Sequence, residues 1–124
     1  MRVSADGSDM KTVAWVDPGG GEYPTGVCDL ALDESHVYWT QDDGSVLRVH
    51  KDADADHGDR LGGAAGCPTI AVSNDYAYVG GDMEIVRVDK RGDRETVLHD
   101  FSDVFGSTKS LAVEGEQLFW IRRP

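Results

Sequence analysis

The residues best suited to chemistry in this chain are its two cysteines, Cys28 and Cys67, and the histidine His99. Zinc favours four ligands drawn from Cys, His and carboxylates, so these side chains, with a carboxylate such as Asp29, are candidates for a divalent metal site. The spacing of the cysteines matches no short metal motif. Two other interpretations stay open, a disulfide between the cysteines and a pair of small buried side chains without a function.

A second set of candidates lies in three short segments, 26–29, 66–69 and 107–110, each of which enters an apolar strand. Equivalent strands of a repeat converge when the repeats surround an axis, and convergent polar groups are typical of a ligand site. We therefore predict ligand binding by Asp29, Thr69, Lys109 and Ser110. Trp15 is a further candidate, because an indole face outside the repeat register can hold a carbohydrate.

The net charge of −11, with a pI near 4.5, excludes nucleic acid and anionic membranes as expected partners, because phosphate-binding surfaces need clustered Lys and Arg. The acidic run 52–56 suggests calcium, but it lacks the glycine and the final glutamate of an EF-hand loop. No nucleophile elbow, phosphate loop or dinucleotide fingerprint is present, so the catalytic residues are unknown. Without a signal segment or an apolar span, the chain as written is expected in the cytoplasm.

These candidates are positioned by a repeat that recurs about every 40 residues, which fixes the architecture more firmly than any single strand. Segments 30–40, 70–80 and 111–121 align without gaps. The copies share an alanine and a large aromatic ring at equivalent positions, namely Ala31, Ala71 and Ala112, and Tyr38, Tyr78 and Phe119. Each segment contains a strand, a polar turn and a second strand rich in aromatic and β-branched residues, which predicts a β-hairpin.

A third strand follows each of the first two hairpins, with Arg48 and Arg87 in register, and a weaker fourth strand follows it, as in 95–98. Residues 1–3 and 11–14 match these third and fourth strands, so the third copy is split between the two ends of the sequence. The sequence therefore predicts an all-β domain, 1–124, of four-stranded antiparallel blades. These blades are 27–62, 67–99 and a split blade composed of 1–15 and 108–121.

Four antiparallel strands in about 40 residues is the repeat of a β-propeller, whose blades stack around an axis. Propellers close at four to eight blades, so three blades are too few for one chain and two chains supply six. Unpaired strand edges seek partners, and two-fold symmetry is the commonest closed arrangement. We therefore predict a homodimer that forms one six-bladed ring, in which the N-terminal strands of each chain complete the C-terminal blade of the other.

The pattern Leu-Ala-Leu-Asp-x-x-x-Val-Tyr-Trp-Thr at 30–40, followed by Gly-Ser-Val-Leu-Arg-Val-x-Lys-Asp at 44–52, resembles the repeats of bacterial six-bladed propellers of the NHL and YWTD type. The repeats themselves predict a self-assembling module that binds a small ligand or partner at its central channel. The resemblance implies an extracytoplasmic origin. The alternative that it implies is a metal-dependent hydrolase of the lactonase or organophosphatase kind. In such an enzyme a divalent ion, zinc or calcium, polarises the substrate and activates water.

Overall fold

A computed structural model describes residues 26–52, 58–92, 94–101 and 106–123, together with the backbone of 2–3 and 10–11. Every regular element in these residues is a β-strand, so the predicted all-β class is confirmed. No helix of a length and apolarity suited to crossing a membrane occurs in the described part of the chain.

The strands form four antiparallel sheets, numbered here in chain order. The N-terminal pair consists of β1 (Arg2–Val3) and β2 (Met10–Lys11). The first sheet consists of β3 (Val27–Leu32), β4 (His36–Gln41), β5 (Ser45–His50) and β6 (Asp59–Gly63). The second sheet consists of β7 (Thr69–Val72), β8 (Tyr76–Gly80), β9 (Glu84–Asp89) and β10 (Glu95–Asp100). The third sheet consists of β11 (Ser107–Glu114) and β12 (Gln117–Arg123).

The first and second sheets are simple meanders, in which each strand pairs with the next one along the chain. This confirms the predicted four-stranded antiparallel sheets. The turns have the composition that sharp reversals need: Gly44, which ends the turn from β4 to β5, has a φ of 87°, a value that residues with a Cβ rarely adopt. Asp43 supports the same turn, because its carboxylate accepts a hydrogen bond from the Ser45 backbone N–H at 2.9 Å.

The strand register repeats from sheet to sheet. Leu30 lies opposite Trp39 in the first sheet, Ile70 opposite Val79 in the second, and Leu111 opposite Trp120 in the third. Successive side chains of a strand point to opposite faces, so the shared register places equivalent residues on equivalent faces. The internal sequence alignment therefore gives the structural equivalence of the three copies.

The main core lies between the first and second sheets, a contact that we call the central junction. Tyr38, Val46 and Leu61 of the first sheet pack there against the second sheet, whose buried contributors are Ile70, Ala77, Val79, Val86 and Val88. A smaller cluster, formed by Ile85, Phe101 and Leu111, joins the second sheet to the third. The sheets are thus stacked in chain order.

Two faces end this stack. The front face is the side of the first sheet that points away from the second, and it carries Leu30 and Leu32. The back face is the side of the third sheet that points away from the second, and it carries Phe119 and Ile121. All four side chains are at least half exposed. Within the described residues, the first, second and third sheets form a stack and not a closed ring.

Candidate functional site

The first strands of the three stacked sheets, which we call the inner strands, are β3, β7 and β11. They lie side by side because the sheets stack in order. Their entry segments surround a cleft of about 390 Å³. The four described candidates for ligand binding all line this cleft, namely Asp29, Thr69, Lys109 and Ser110. The fifth candidate, Trp15, lies outside the described residues.

Asp29 holds two of these inner strands together. Its carboxylate oxygen Oδ2 accepts hydrogen bonds from the Thr69 hydroxyl at 2.7 Å and from the Ile70 backbone N–H at 3.0 Å. The other oxygen, Oδ1, accepts the N–H of its own neighbour Leu30 at 2.8 Å. A carboxylate that accepts three hydrogen bonds serves a structural role, in addition to the ligand-binding or metal-binding role that the sequence predicts for Asp29.

Lys109 and Ser110 contribute the exposed polar groups of the cleft, since both side chains lie at the surface of β11. A bulge in the pairing of β11 with β12 falls between Thr108 and Ser110. Such bulges redirect side chains where a strand approaches a site. The cleft therefore offers an ammonium group and a hydroxyl beside the Asp29–Thr69 pair, an arrangement suited to a small polar ligand.

Cys28 and Cys67 form a disulfide that joins β3 to the segment that enters β7, with a Cα–Cα distance of 5.6 Å. Of the three interpretations of the cysteines, this is the one that the structure contains. Cys67 also lines the cleft, so the disulfide forms part of its wall. The stacking of adjacent sheets explains the bond, because it brings the entries of neighbouring inner strands together.

The predicted metal site of Cys28, Cys67 and His99 is corrected by these positions. Sulfurs bonded to each other are not thiolate ligands, and the His99 ring stacks instead on Phe101 and Trp120, with centroid distances of 4.5 and 5.7 Å. Among the described residues, no group of three or more His, Cys, Asp or Glu is arranged to hold a metal ion. These residues do not fit the channel ion of the hydrolase alternative.

Sequence reasoning missed a polar network at the outer turns of the central junction. Lys90, in the turn after β9, places its ammonium nitrogen 2.7 Å from Oδ2 of Asp33, in the turn after β3. The Tyr38 hydroxyl donates to the same oxygen at 2.8 Å. The signal was available in the sequence, because a lysine follows the third strand in both complete copies, as Lys51 and Lys90.

The network shifts the protonation of its members. Burial by itself raises the pKa of Asp33, but hydrogen bonds from Lys90, from the Ser35 and His36 backbone and from Tyr38 outweigh it and hold that pKa far below its usual range. Burial, followed by the hydrogen bond to the Asp33 carboxylate, raises the pKa of Tyr38 to about 12. Asp33 is therefore charged and Tyr38 neutral at neutral pH.

Comparison of the chain with protein-family models, with curated proteins and with solved structures finds no match.

Proposed function

We propose that this chain is a half β-propeller that closes into a six-bladed ring with a second copy of itself and binds a small polar ligand at the inner-strand cleft. The observation that carries this proposal is the exposure of apolar side chains on the front and back faces. Leu30 of the front face and Phe119 of the back face each have an equivalent elsewhere in the chain that is buried.

Position for position, Leu30 on the front face corresponds to Ile70 in the central junction. Ile70 is 4% exposed because the first sheet covers it, whereas Leu30 is 52% exposed. Among the residues that the structure describes, no sheet packs against Leu30 as the first sheet packs against Ile70. Trp39 and Leu47 of the same face are already buried within the chain, so the part of the front face that another sheet would bury is the exposed edge at Leu30 and Leu32.

The back face shows the complementary case. Phe119 corresponds to Tyr38, which is fully buried against the second sheet, yet Phe119 is 53% exposed. Full burial of an aromatic or branched aliphatic side chain stabilises by about 1.5–3 kcal/mol. The front and back faces are thus matched surfaces, since their equivalents already pack against each other in the central junction.

A third comparison concerns the outer strands. Leu61 and Leu98 lie at the same register irregularity of their sheets, between residues paired with β5 and with β9 respectively. Leu61 is 8% exposed because the outer strands of the second sheet lie against it, whereas Leu98 is 42% exposed beside a third sheet with only two strands. Two more strands paired beyond β12 would cover Leu98. In sequence, β1 and β2 match the third and fourth strands of the other sheets, so a second copy can supply these two strands.

Strand pairing supports the same arrangement. β12 is the last strand of its sheet, and within the described residues no strand pairs with its outer edge. Its exposed residues Phe119, Trp120 and Ile121 form an apolar edge strand of the kind that invites another strand to pair. A ring of two copies buries this edge at both junctions, and the two-fold axis then brings two inner-strand clefts toward each other.

The ring is tested by measuring the mass of the chain and of two variants in solution over a range of concentrations. The wild type should have twice the monomer mass of 13.5 kDa, and Phe119→Asp should be monomeric with an unchanged β-sheet circular dichroism spectrum. Met83→Asp is the matched control, because Met83 is equally exposed but lies in the turn before β9, so this variant should remain a dimer. A wild type that stays monomeric at high micromolar concentration overturns the ring.

The ligand half of the proposal is tested on the same samples by thermal-shift measurements with a panel of small carboxylic acids and neutral sugars. A compound that binds at the cleft should stabilise the wild type and lose its effect in Lys109→Met. Arg91→Met serves as the control, since Arg91 is exposed in the turn after β9 and does not line the cleft. Equal stabilisation of all three proteins would place the binding site elsewhere.

A further inference from the structure

The ion pair of the central junction shows how adjacent sheets recognise each other. Lys90 and Asp33 lie on different sheets, and both side chains are largely buried by the contact. The Lys90 ammonium also lies over the Tyr38 ring, 5.4 Å from its centroid. An acidic residue after the first strand of one sheet thus binds a lysine after the third strand of the next sheet.

The acidic position recurs in the other two sheets. Asp33 and Ser73 occupy equivalent turns, because their backbone N–H groups donate to the carbonyls of His36 and Tyr76 at 3.1 and 2.9 Å. In the third sheet Glu114 holds this place, paired with Gln117 across the hairpin. The sequence therefore has an acid, a hydroxyl and an acid at this position.

The lysine position recurs as well. The backbone N–H of Lys90 donates to the Asp75 carbonyl at 3.2 Å, and that of Lys51 donates to the Ser35 carbonyl at 2.9 Å. Ser35 and Asp75 are equivalent turn residues in the repeat alignment, so Lys51 occupies in the first sheet the place that Lys90 has in the second. Lys51 belongs to the sheet that carries the front face, and Glu114 belongs to the sheet that carries the back face.

We propose that Glu114 of one copy forms an ion pair with Lys51 of a second copy at each junction of the ring, in the geometry of the Asp33–Lys90 pair. This inference rests on the ring of the proposed function, because Glu114 and Lys51 of one chain lie on sheets separated by the second sheet. Phe119 takes the place of Tyr38 beneath the lysine ammonium. The partner that fits these two faces is therefore a second copy of this chain.

The remaining junction supports the assignment through its lack of charge. At the junction between the second and third sheets, Ser73 occupies the position that an acid holds in the other sheets. The repeat alignment places Ala5 of a second copy at the lysine position of this junction. Ala5 lies outside the described residues, and its place comes from the sequence alone. An acid thus faces a lysine at the central junction and at the junction between copies, and a neutral residue faces a neutral one at the junction between the second and third sheets. Such matching of charges is expected where two surfaces bind each other specifically.

Charge reversal provides the test. Lys51→Glu and Glu114→Lys each place like charges at both junctions of a homodimer, and each should raise the dissociation constant by about a hundredfold or more. Mixing the two variants restores opposite charges at both junctions, so the mixture should form a heterodimer with near wild-type affinity. The double variant, which reverses both charges, should dimerise with itself.

The matched controls are Arg91→Glu and Glu116→Lys, which reverse exposed charges: Arg91 lies beside Lys90 in the turn after β9, and Glu116 lies in the turn that follows Glu114. Both should dimerise as the wild type does when native mass spectrometry or sedimentation velocity is used. If the wild type is a dimer but the single variants match these controls, or the mixture forms no heterodimer, the ion pair is refuted and the ring stands. A monomeric wild type refutes both.

Discussion

The central junction and the two faces that end the stack are built from the same strand positions, yet apolar side chains that the junction buries are exposed on the faces. The front face is covered only in part, since its Trp39 and Leu47 are buried within the chain whereas Leu30 is exposed. Ile70 and Leu30 illustrate the difference, since they share a place in the repeat and differ in exposure from 4% to 52%. Nothing local to either strand distinguishes them. Burial in a repeat protein is thus decided by the neighbouring copy, because each sheet buries its apolar face only against the next.

The largest effect should come from truncating the buried member of this pair. Ile70→Ala should destabilise the chain by about 2–5 kcal/mol, because it leaves a cavity in the central junction. Leu30→Ala, measured in dilute solution where the chain is monomeric, should change stability by no more than about 0.5 kcal/mol. Urea unfolding of both variants measures the contrast. Equal losses would mean that the front face is already covered within one chain.

The disulfide distinguishes the central junction from the contact between the second and third sheets, because it crosses only the central junction. Thr108 stands in the third sheet where the second has Cys67, so the repeat supplies no thiol for an equivalent bond there. Reduction of the Cys28–Cys67 bond should cost about 2–4 kcal/mol, since a cross-link over 39 residues restricts the unfolded chain.

Urea unfolding with and without reductant measures this cost. The double variant Cys28→Ser with Cys67→Ser is the control and should unfold at the midpoint of the reduced wild type, with no response to reductant. An oxidised wild type that unfolds at the same midpoint as this variant would show that the bond does not stabilise the junction.

The smallest effect is expected at the outer turns, where Asp33 binds Lys90. Asp33→Asn should cost about 1.5–3 kcal/mol at neutral pH, the range for hydrogen bonds to charged groups. The folded-state pKa of Asp33 lies below its unfolded value, so its contribution to stability is present above about pH 4 and is lost as the pH falls further.

Unfolding curves between pH 7 and acid measure this dependence. The wild type should lose more stability below about pH 4 than Asp33→Asn does, because Asn does not titrate. Lys90→Met and the double variant complete a mutant cycle, and their coupling energy reports the ion pair directly. Parallel acid profiles for wild type and Asp33→Asn would remove the ion pair as a source of junction stability.

Much of the fold was available from the sequence because its signals are local. Alternating apolar residues and polar turns define each hairpin, and their recurrence about every 40 residues predicted the four-stranded antiparallel sheets that the structure contains. The convergence of Asp29, Thr69, Lys109 and Ser110 on one cleft followed from the same repeat, since equivalent strand entries meet when sheets stack.

The cysteines and His99 could not be assigned in this way. Whether two thiols 39 residues apart meet depends on the distance between neighbouring sheets. The local pattern of apolar and polar residues does not determine that distance. The ring of His99 contacts Trp120 because the third sheet packs on the second, and no local spacing in the chain predicts that contact. Asp29 likewise became an acceptor for β7 only through stacking.

The sequence by itself determined the repeat unit, its strands and the face on which each side chain lies, because a period of two residues is a property of the extended backbone. Only the tertiary structure decided which of those faces are covered, whether the two cysteines meet, and which charges are paired. The physical reason is that burial and electrostatic pairing depend on distances between sheets, and these are set by packing after every strand is already formed.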